Sequence, residues 1–162
     1  MHYLMANIEV SNYAGENNWA LLLDPDGFIA EGTGDNFFMV KDGRIITPEP
    51  RNILRGVSRK YIIEELAPRL GLPCIEKNIE LYDVMTADEA FFTGTPFCIL
   101  PVTSINSMQI GTGKMGPITK RLLDIWGQNV GVDIIAQIKK FGLSKKPGVT
   151  NAPSPYTFKQ KK

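Results

Sequence analysis

The chain has 162 residues, of which 43% are hydrophobic and 22% charged, the composition of a water-soluble globular domain with an ordinary core. Its 18 Lys and Arg nearly balance 17 Asp and Glu, which argues against a domain that works by basic attraction to nucleic acid or anionic lipid. A single histidine, His2, argues against His-rich metal sites and a Ser-His-Asp hydrolase, and two cysteines are too few for a disulfide scaffold. No run reaches the roughly 18–20 apolar residues of a membrane span, and the first five residues lack the pattern of a signal peptide. The expectation is a cytoplasmic chain with no membrane or nucleic-acid partner.

Residues 1–16 read as a short helix that frays into a polar loop. A strand meander follows from Asn18 to Thr47. Trp19 to Leu23 reads as a buried strand, Asp24-Pro25-Asp26-Gly27 as a turn and Phe28 to Glu31 as the returning strand. Gly32-Thr33-Gly34-Asp35 interrupts the pattern before Asn36 to Val40 resumes it. Lys41-Asp42-Gly43-Arg44 is a hairpin turn, because Asp-Gly takes the positive φ such turns need. The strand Arg44 to Thr47 closes the meander at Pro48-Glu49-Pro50.

A helix is predicted after Gly56, with Ile62, Ile63, Leu66 and Leu70 near helical spacing. Pro68 should kink it or end it early, and Gly71 suits its C-terminal cap. Residues 73–79 alternate as a strand, and Leu81 to Thr86 reads as a short helix. Strands are expected at Glu89 to Thr93 and Ile99 to Ile105. The Gly111–Gly116 run is a flexible loop, and Pro117 opens a helix that continues, bent at Gly127, toward Lys140. The stretch from Ser144 to Lys162 holds three prolines and five lysines and reads as a polar tail. The domain is therefore drawn at 1–143, and the tail at 144–162.

Three local features could carry chemistry. Glu31 ends an apolar strand beside Gly32-Thr33-Gly34, either as an exposed strand-end charge or as a buried group with a cationic partner. Leu54-Arg55-Gly56-Val57-Ser58-Arg59 leads a glycine turn into a helix start, which is an anion site or simply a helix beginning. Thr93-Gly94-Thr95-Pro96 breaks two strands, either as a plain turn or to aim a hydroxyl at a phosphate. Other features have blander readings. Gly-x-Gly spacing in the 111–116 loop is weak evidence for a phosphate site, and Cys74 and Cys98 read as core. Asp88-Glu89 could be paired carboxylates, but on a strand they face opposite sides.

Taken in order, these features form a series. Ala30-Glu31-Gly32-Thr33-Gly34-Asp35-Asn36-Phe37-Phe38, Lys41-Asp42-Gly43, Thr47-Pro48 and Leu54-Arg55-Gly56-Val57-Ser58-Arg59 come first. Ala87-Asp88-Glu89-Ala90-Phe91-Phe92-Thr93-Gly94-Thr95, Pro101-Val102 and Gly116-Pro117-Ile118-Thr119 follow. The series resembles the fold type IV enzymes that use pyridoxal phosphate, and among them the branched-chain amino acid aminotransferases. The resemblance implies an α/β domain of the α+β type. Antiparallel strands in a barrel-like or sandwich arrangement would carry flanking helices, as in the large domain of such an enzyme. It also implies transfer of an amino group between an amino acid and a 2-oxo acid, pyridoxal 5'-phosphate as cofactor, and a homo-oligomer.

The same resemblance assigns the residues. Glu31 matches the carboxylate that pairs with the cofactor's pyridine nitrogen and keeps it protonated. Tyr3 matches a tyrosine beside the phenolic oxygen. Val57 and Ser58 match the phosphate cradle, Leu54 and Gly56 shape its turn, and Thr95 matches a second phosphate ligand. Pro96 falls where the family usually offers a backbone N–H near the substrate carboxylate, so substrate recognition is expected to differ. The family's Schiff-base lysine lies a few residues before the position of Tyr3, and its small N-terminal domain lies further upstream. Both are expected to fall outside this sequence, read as a truncated frame without a catalytic residue of its own and inactive alone. Three readings stay open beside this one: a D-amino acid or amine aminotransferase, an aminodeoxychorismate lyase, and a non-catalytic domain that binds pyridoxal phosphate or self-associates.

Overall fold

A computed structural model describes residues 2–13 and 17–144. The tail expected after Ser144 lies outside these residues, as does part of the polar loop after the first helix. The elements are α1 (His2–Val10), β1 (Leu21–Leu23), β2 (Ile29–Gly32), β3 (Asn36–Lys41) and β4 (Arg44–Thr47). Next come α2 (Val57–Tyr61), a π-helical turn (Ile62–Leu66), α3 (Ala67–Arg69), β5 (Cys74–Glu76) and α4 (Leu81–Met85). β6 (Glu89–Gly94), β7 (Cys98–Val102), β8 (Ser104–Ile105), β9 (Met108–Gln109), α5 (Pro117–Val130) and α6 (Ile134–Ser144) complete the order.

The apolar run of β3 explains the architecture. Asn36-Phe37-Phe38-Met39-Val40 is buried throughout, as expected of a central strand covered on both faces. One edge of β3 pairs along its length with β6, from Asn36 opposite Thr93 to Val40 opposite Glu89. The other edge is shared: β2 meets it at Asn36, and β4 takes over from Met39 to Lys41. The result is a seven-stranded sheet that branches at β3, with β7 beyond β6 and β5 beyond β4. All pairings in it are antiparallel except β4 with β5, which the connecting helical stretch makes parallel. The expected antiparallel α/β architecture with flanking helices is what the structure has, as an open sheet with no closed barrel.

Period-two alternation sorts the side chains into two cores. Phe38, Val40 and Phe91 face Ile62, Leu66, Leu122 and Trp126 from the helices, and Phe38 stacks on Phe91 with ring centroids 5.2 Å apart. Phe37, Met39, Ala90 and Phe92 face Ile29, Ile79, Val84 and Ile110 on the opposite side. The Asp-Gly hairpin turn forms with Asp42 at φ 49° and Gly43 at φ 71°.

Four expectations need correction. The first strand begins at Leu21 rather than Trp19, and it is an edge strand whose Leu23 is exposed. Residues 73–79 form only the short β5, because just Cys74 to Glu76 find partners on β4. Pro68 does not end its helix early. The π-helical turn ending one residue before Ala67-Pro68 widens the backbone, with Ala67 donating to the Ile62 carbonyl, and α3 runs past Pro68 to Arg69, with Leu70 as its cap and Gly71 beyond it at φ 66°. The last long helix stops at Val130 instead of bending at Gly127. Gly131 caps it in the left-handed conformation (φ 69°), while Gly127 serves close packing: a Cβ there would lie 2.7 Å from the Val132 carbonyl oxygen. Among the described residues, no helix is long and apolar enough to cross a membrane, and no group of His, Cys, Asp and Glu could hold a metal ion.

Candidate functional site

The break in the chain between β2 and β3 creates the site. Glu31 is the third residue of β2 and only 3% exposed, so its carboxylate needs partners from within the protein. It finds three. The Tyr3 hydroxyl of α1 donates to Oε1 at 2.7 Å, and Asn36 Nδ2 and the Leu54 N–H donate to Oε2 at 2.9 and 3.0 Å. These protein partners are neutral donors, so of the two readings of Glu31 the buried one holds and the exposed strand-end charge does not.

A cleft of about 170 Å³ opens above this carboxylate. Tyr3, Glu31, Leu54, Gly56, Val57, Ser58 and Thr95 all line it, together with 32–36 and Thr93-Gly94. The structure thus brings seven of the eight sequence-singled residues to one place from four separate stretches of chain. Pro96, the eighth, follows Thr95 in the exposed β6–β7 turn and does not border the cleft itself. A wider depression of about 720 Å³ between α5 and α6 has no buried ionisable group in its lining.

Each wall has a local cause. Gly32 accepts the tight β2–β3 connection, its N–H donating to the Asp35 carbonyl at 2.9 Å. A Cβ on Gly32 would sit 2.0 Å from Asp35 Oδ1, whereas one on Gly34 would meet nothing within 4 Å. A side chain would therefore meet open space at Gly34 but collide with Asp35 at Gly32. On the other side, Gly56 is extended (φ −62°, ψ 145°) and turns the chain into α2. Val57 is 83% exposed and Ser58 is buried, and both line the cleft. The loop before them is tethered: Arg51 pairs with Asp26 at 3.1 Å and Asn52 donates to Asp24 at 3.0 Å. That bond from Asn52, more than the turn amides and Arg51, holds the Asp24 carboxyl below its usual range.

Electrostatics single out two groups. Tyr3 is pushed up to about 12, first by donating to Glu31, then by burial and by the Glu31 charge. Asp35 is pushed up to about 6, mainly by burial, with the Gly34 N–H opposing and Glu31 adding. Asp35 Oδ1 is one of two buried side-chain atoms among the described residues with no hydrogen-bond partner.

Other sequence candidates go to the scaffold. Asp88 accepts the Asp42 N–H at 2.8 Å, and Glu89 caps α5, so neither borders the cleft. The Gly111–Gly116 loop packs against that pair: Cβ atoms at Gly111 and Gly116 would lie 2.0 Å from the Asp88 carbonyl oxygen and from Glu89 Cδ. Thr93 donates to the Cys98 carbonyl at 2.6 Å, leaving Thr95 as the hydroxyl of that turn on the cleft. Cys74 and Cys98 are free thiols packed against the helix-side core, and burial pushes both up, Cys74 to about 11. Asn36 is the residue that sequence reasoning missed. Its place in a quoted motif was visible, but its two partners lie 5 and 18 positions away.

Comparison with known proteins identifies the family to which this fold belongs. The family described as amino-transferase class IV matches residues 1–105. A branched-chain-amino-acid aminotransferase of Pseudomonas aeruginosa is 43% identical over 109 residues, which cover 67% of this chain and 35% of that protein. The crystal structure of the Escherichia coli branched-chain amino acid aminotransferase superimposes with a TM-score of 0.74 at 35% identity, over 78% of this chain and 42% of that one. The corresponding enzyme from Thermobaculum terrenum in its PLP-form gives 0.74 at 36% identity, over 79% and 41%. The chain thus spans about a third of the length of the curated relative and about two fifths of the solved ones.

Proposed function

Because this chain belongs to the class IV amino-transferase family, we propose that its cleft is the pyridoxal 5'-phosphate site of a branched-chain amino acid aminotransferase. The observation that carries this reading is the buried Glu31 carboxylate at the floor of a cleft whose rim gathers Tyr3, Leu54, Gly56, Val57, Ser58 and Thr95. The residues present fit the cofactor. A carboxylate held by neutral donors can keep a ring nitrogen protonated, the open space at Gly34 leaves room for a planar ring, and an amide-and-hydroxyl rim suits a phosphate.

When bound, pyridoxal 5'-phosphate supplies a protonated ring that accepts electron density from the substrate's α-carbon. The chain's own residues do the holding. Glu31 would keep the proton on the pyridine nitrogen, and the Tyr3 hydroxyl, which donates to Glu31 at 2.7 Å, would be the group offered to the phenolic oxygen. The Val57 and Ser58 amides with the Ser58 and Thr95 hydroxyls would hold the phosphate, and Leu54 and Gly56 would shape the turn that carries them. Pro96 lies just outside the lining, next to Thr95, and has no N–H to give, so substrate recognition would be altered if a substrate carboxylate sat against this turn.

No lysine is among the residues lining the cleft, and Lys41 and Lys60 are engaged with the Thr86 carbonyl and Glu64. Among the described residues, then, the lining offers no amine to move protons at the substrate's α-carbon, and that group would come from elsewhere. Exposed Leu4, Met5 and Ile8 on α1, with Leu54 and Val57 at the rim, favour a homo-oligomer. The two free thiols suit a reducing cytoplasm. The division into a domain over 1–143 and a tail over 144–162 belongs to the same reading.

Titration of the protein with pyridoxal 5'-phosphate, followed by the cofactor's absorbance, tests the site. Glu31→Ala and Ser58→Ala should each weaken binding about tenfold or more. Wild-type affinity in both variants overturns the reading.

A further inference from the structure

One polar side chain joins the two ends of the cleft. Asn36 opens β3 at the branch of the sheet, opposite Glu31 on β2 and Thr93 on β6. Its Nδ2 donates at once to Glu31 Oε2 (2.9 Å) and to the Leu54 carbonyl (2.8 Å), and the Leu54 N–H returns to the same Oε2 at 3.0 Å. The carboxylate, the amide and the Leu54 backbone form a closed ring of three hydrogen bonds. Two residues past Leu54, Gly56 lies against the other side of the amide: a Cβ there would be 2.2 Å from Asn36 Oδ1. The amide's orientation is fixed chemically, since both of its short partners on the ring are acceptors and only the NH2 group has two hydrogens to give.

We propose that Asn36 is a positioning residue that locks the Glu31 carboxylate in register with the Leu54–Ser58 turn, so that the two ends of the cleft bind one ligand as a unit. The proposal rests on the cofactor reading above and adds to it a residue of the cleft lining that acts through Glu31 and the Leu54 backbone. The side chain is specific in length and charge. Alanine removes both donors and leaves Oε2 and the Leu54 carbonyl to find new ones. Aspartate keeps the shape but sets an anion against two acceptors, and protonation restores a single donor.

The test is pyridoxal 5'-phosphate titration of the full chain at several pH values between 5 and 8, with far-UV circular dichroism melts to count only folded protein. Each Asn36 variant is compared with wild type at the same pH. Asn36→Ala should weaken binding at least about tenfold at every pH. Asn36→Asp should lose as much at pH 8 and regain part of it at pH 5, a pH profile that a merely structural residue would not impose on the folded fraction. A double-mutant cycle should also show that Glu31→Ala costs much less in the Asn36→Ala background than in wild type. Asn36 variants that bind within about twofold of wild type, while Glu31→Ala and Ser58→Ala lose binding, overturn this inference alone. Unchanged binding in Glu31→Ala and Ser58→Ala overturns the cofactor reading and this inference with it. Should Asn36→Ala not fold, the pH profile of the nearly isosteric Asn36→Asp decides the question.

Discussion

Two buried glutamates, Glu31 and Glu89, show how little burial alone reveals about a carboxylate's work. Both lie on strands of one sheet, both are under 10% exposed, and each accepts three hydrogen bonds. The donors differ. Glu89 takes the Ile118 and Thr119 N–H groups at 2.8 Å and the Thr119 hydroxyl at 2.6 Å, all from the first turn of α5. Those amides would otherwise lack partners at a buried helix start. Gly116 packs closely on the Glu89 carboxyl, which does not border the cleft. Glu31 takes its donors from α1, β3 and the loop before α2, three segments that meet only at the cleft. One carboxylate closes a gap within a single element, and the other faces a space between several. Adjacent open volume, not the count of hydrogen bonds, distinguishes a binding group from a cap.

Substitution should separate the two in the same pair of assays. Glu89→Ala leaves three donors unpaired at the start of α5 and is expected to cost roughly 3–5 kcal/mol of stability, read from urea unfolding. The folded fraction should still bind pyridoxal 5'-phosphate as wild type does. Glu31→Ala should invert the pattern, with a smaller loss of about 1–2 kcal/mol and the loss of cofactor affinity described above. A Glu89→Ala protein that is as stable as wild type would break the comparison at its structural end.

Asp35 sharpens the comparison from the other direction, since it is a buried carboxyl on the cleft without enough partners. Its folded-state pKa of about 6 lies above the unfolded value of 3.8. Between these values the native state binds more protons than the unfolded one, so stability falls as pH rises through this window. The penalty is complete above about pH 6. Asp35→Asn should remove this slope and raise stability at pH 7 by about 1–3 kcal/mol. Urea midpoints of the two proteins from pH 4 to pH 7 provide the check, and parallel curves would show that Asp35 ionises as freely folded as unfolded.

The contrast between the two glutamates also marks where sequence reading stops. Phe37 to Val40 was readable as a strand, and its unbroken apolar run suits the position covered on both faces that it takes. Asp42-Gly43 and Pro117 are equally readable, as their backbone preferences are local. The site residues were legible as an ordered series across more than ninety positions, with Glu31 and Ser58 ambiguous one at a time. What stayed hidden depends on partners far along the chain. Glu89 reaches Thr119 across 30 residues, and Asn36 reaches Leu54 across 18. Gly127 and Gly131 could not be ranked without the position of Val132, which decides which glycine packs and which one turns.

The smallest expected effect tests the same lesson on the surface of α5. Lys120 and Asp124 sit one helical turn apart and make an ion pair at 2.6 Å, with about half of each side chain exposed. In water-facing surroundings such a pair gains little, because solvent screens the charges and two long side chains lose freedom. Lys120 is also only four residues past the Gly116 cap, where a positive charge opposes the helix dipole that Glu89 complements. The two terms offset each other. Lys120→Ala should therefore change stability by less than about 0.5 kcal/mol at 0.1 M salt, with little dependence on salt. A loss near that of Glu89→Ala would mean that charge close to this helix start counts whether or not it is buried, and the distinction drawn from Glu89 would fail.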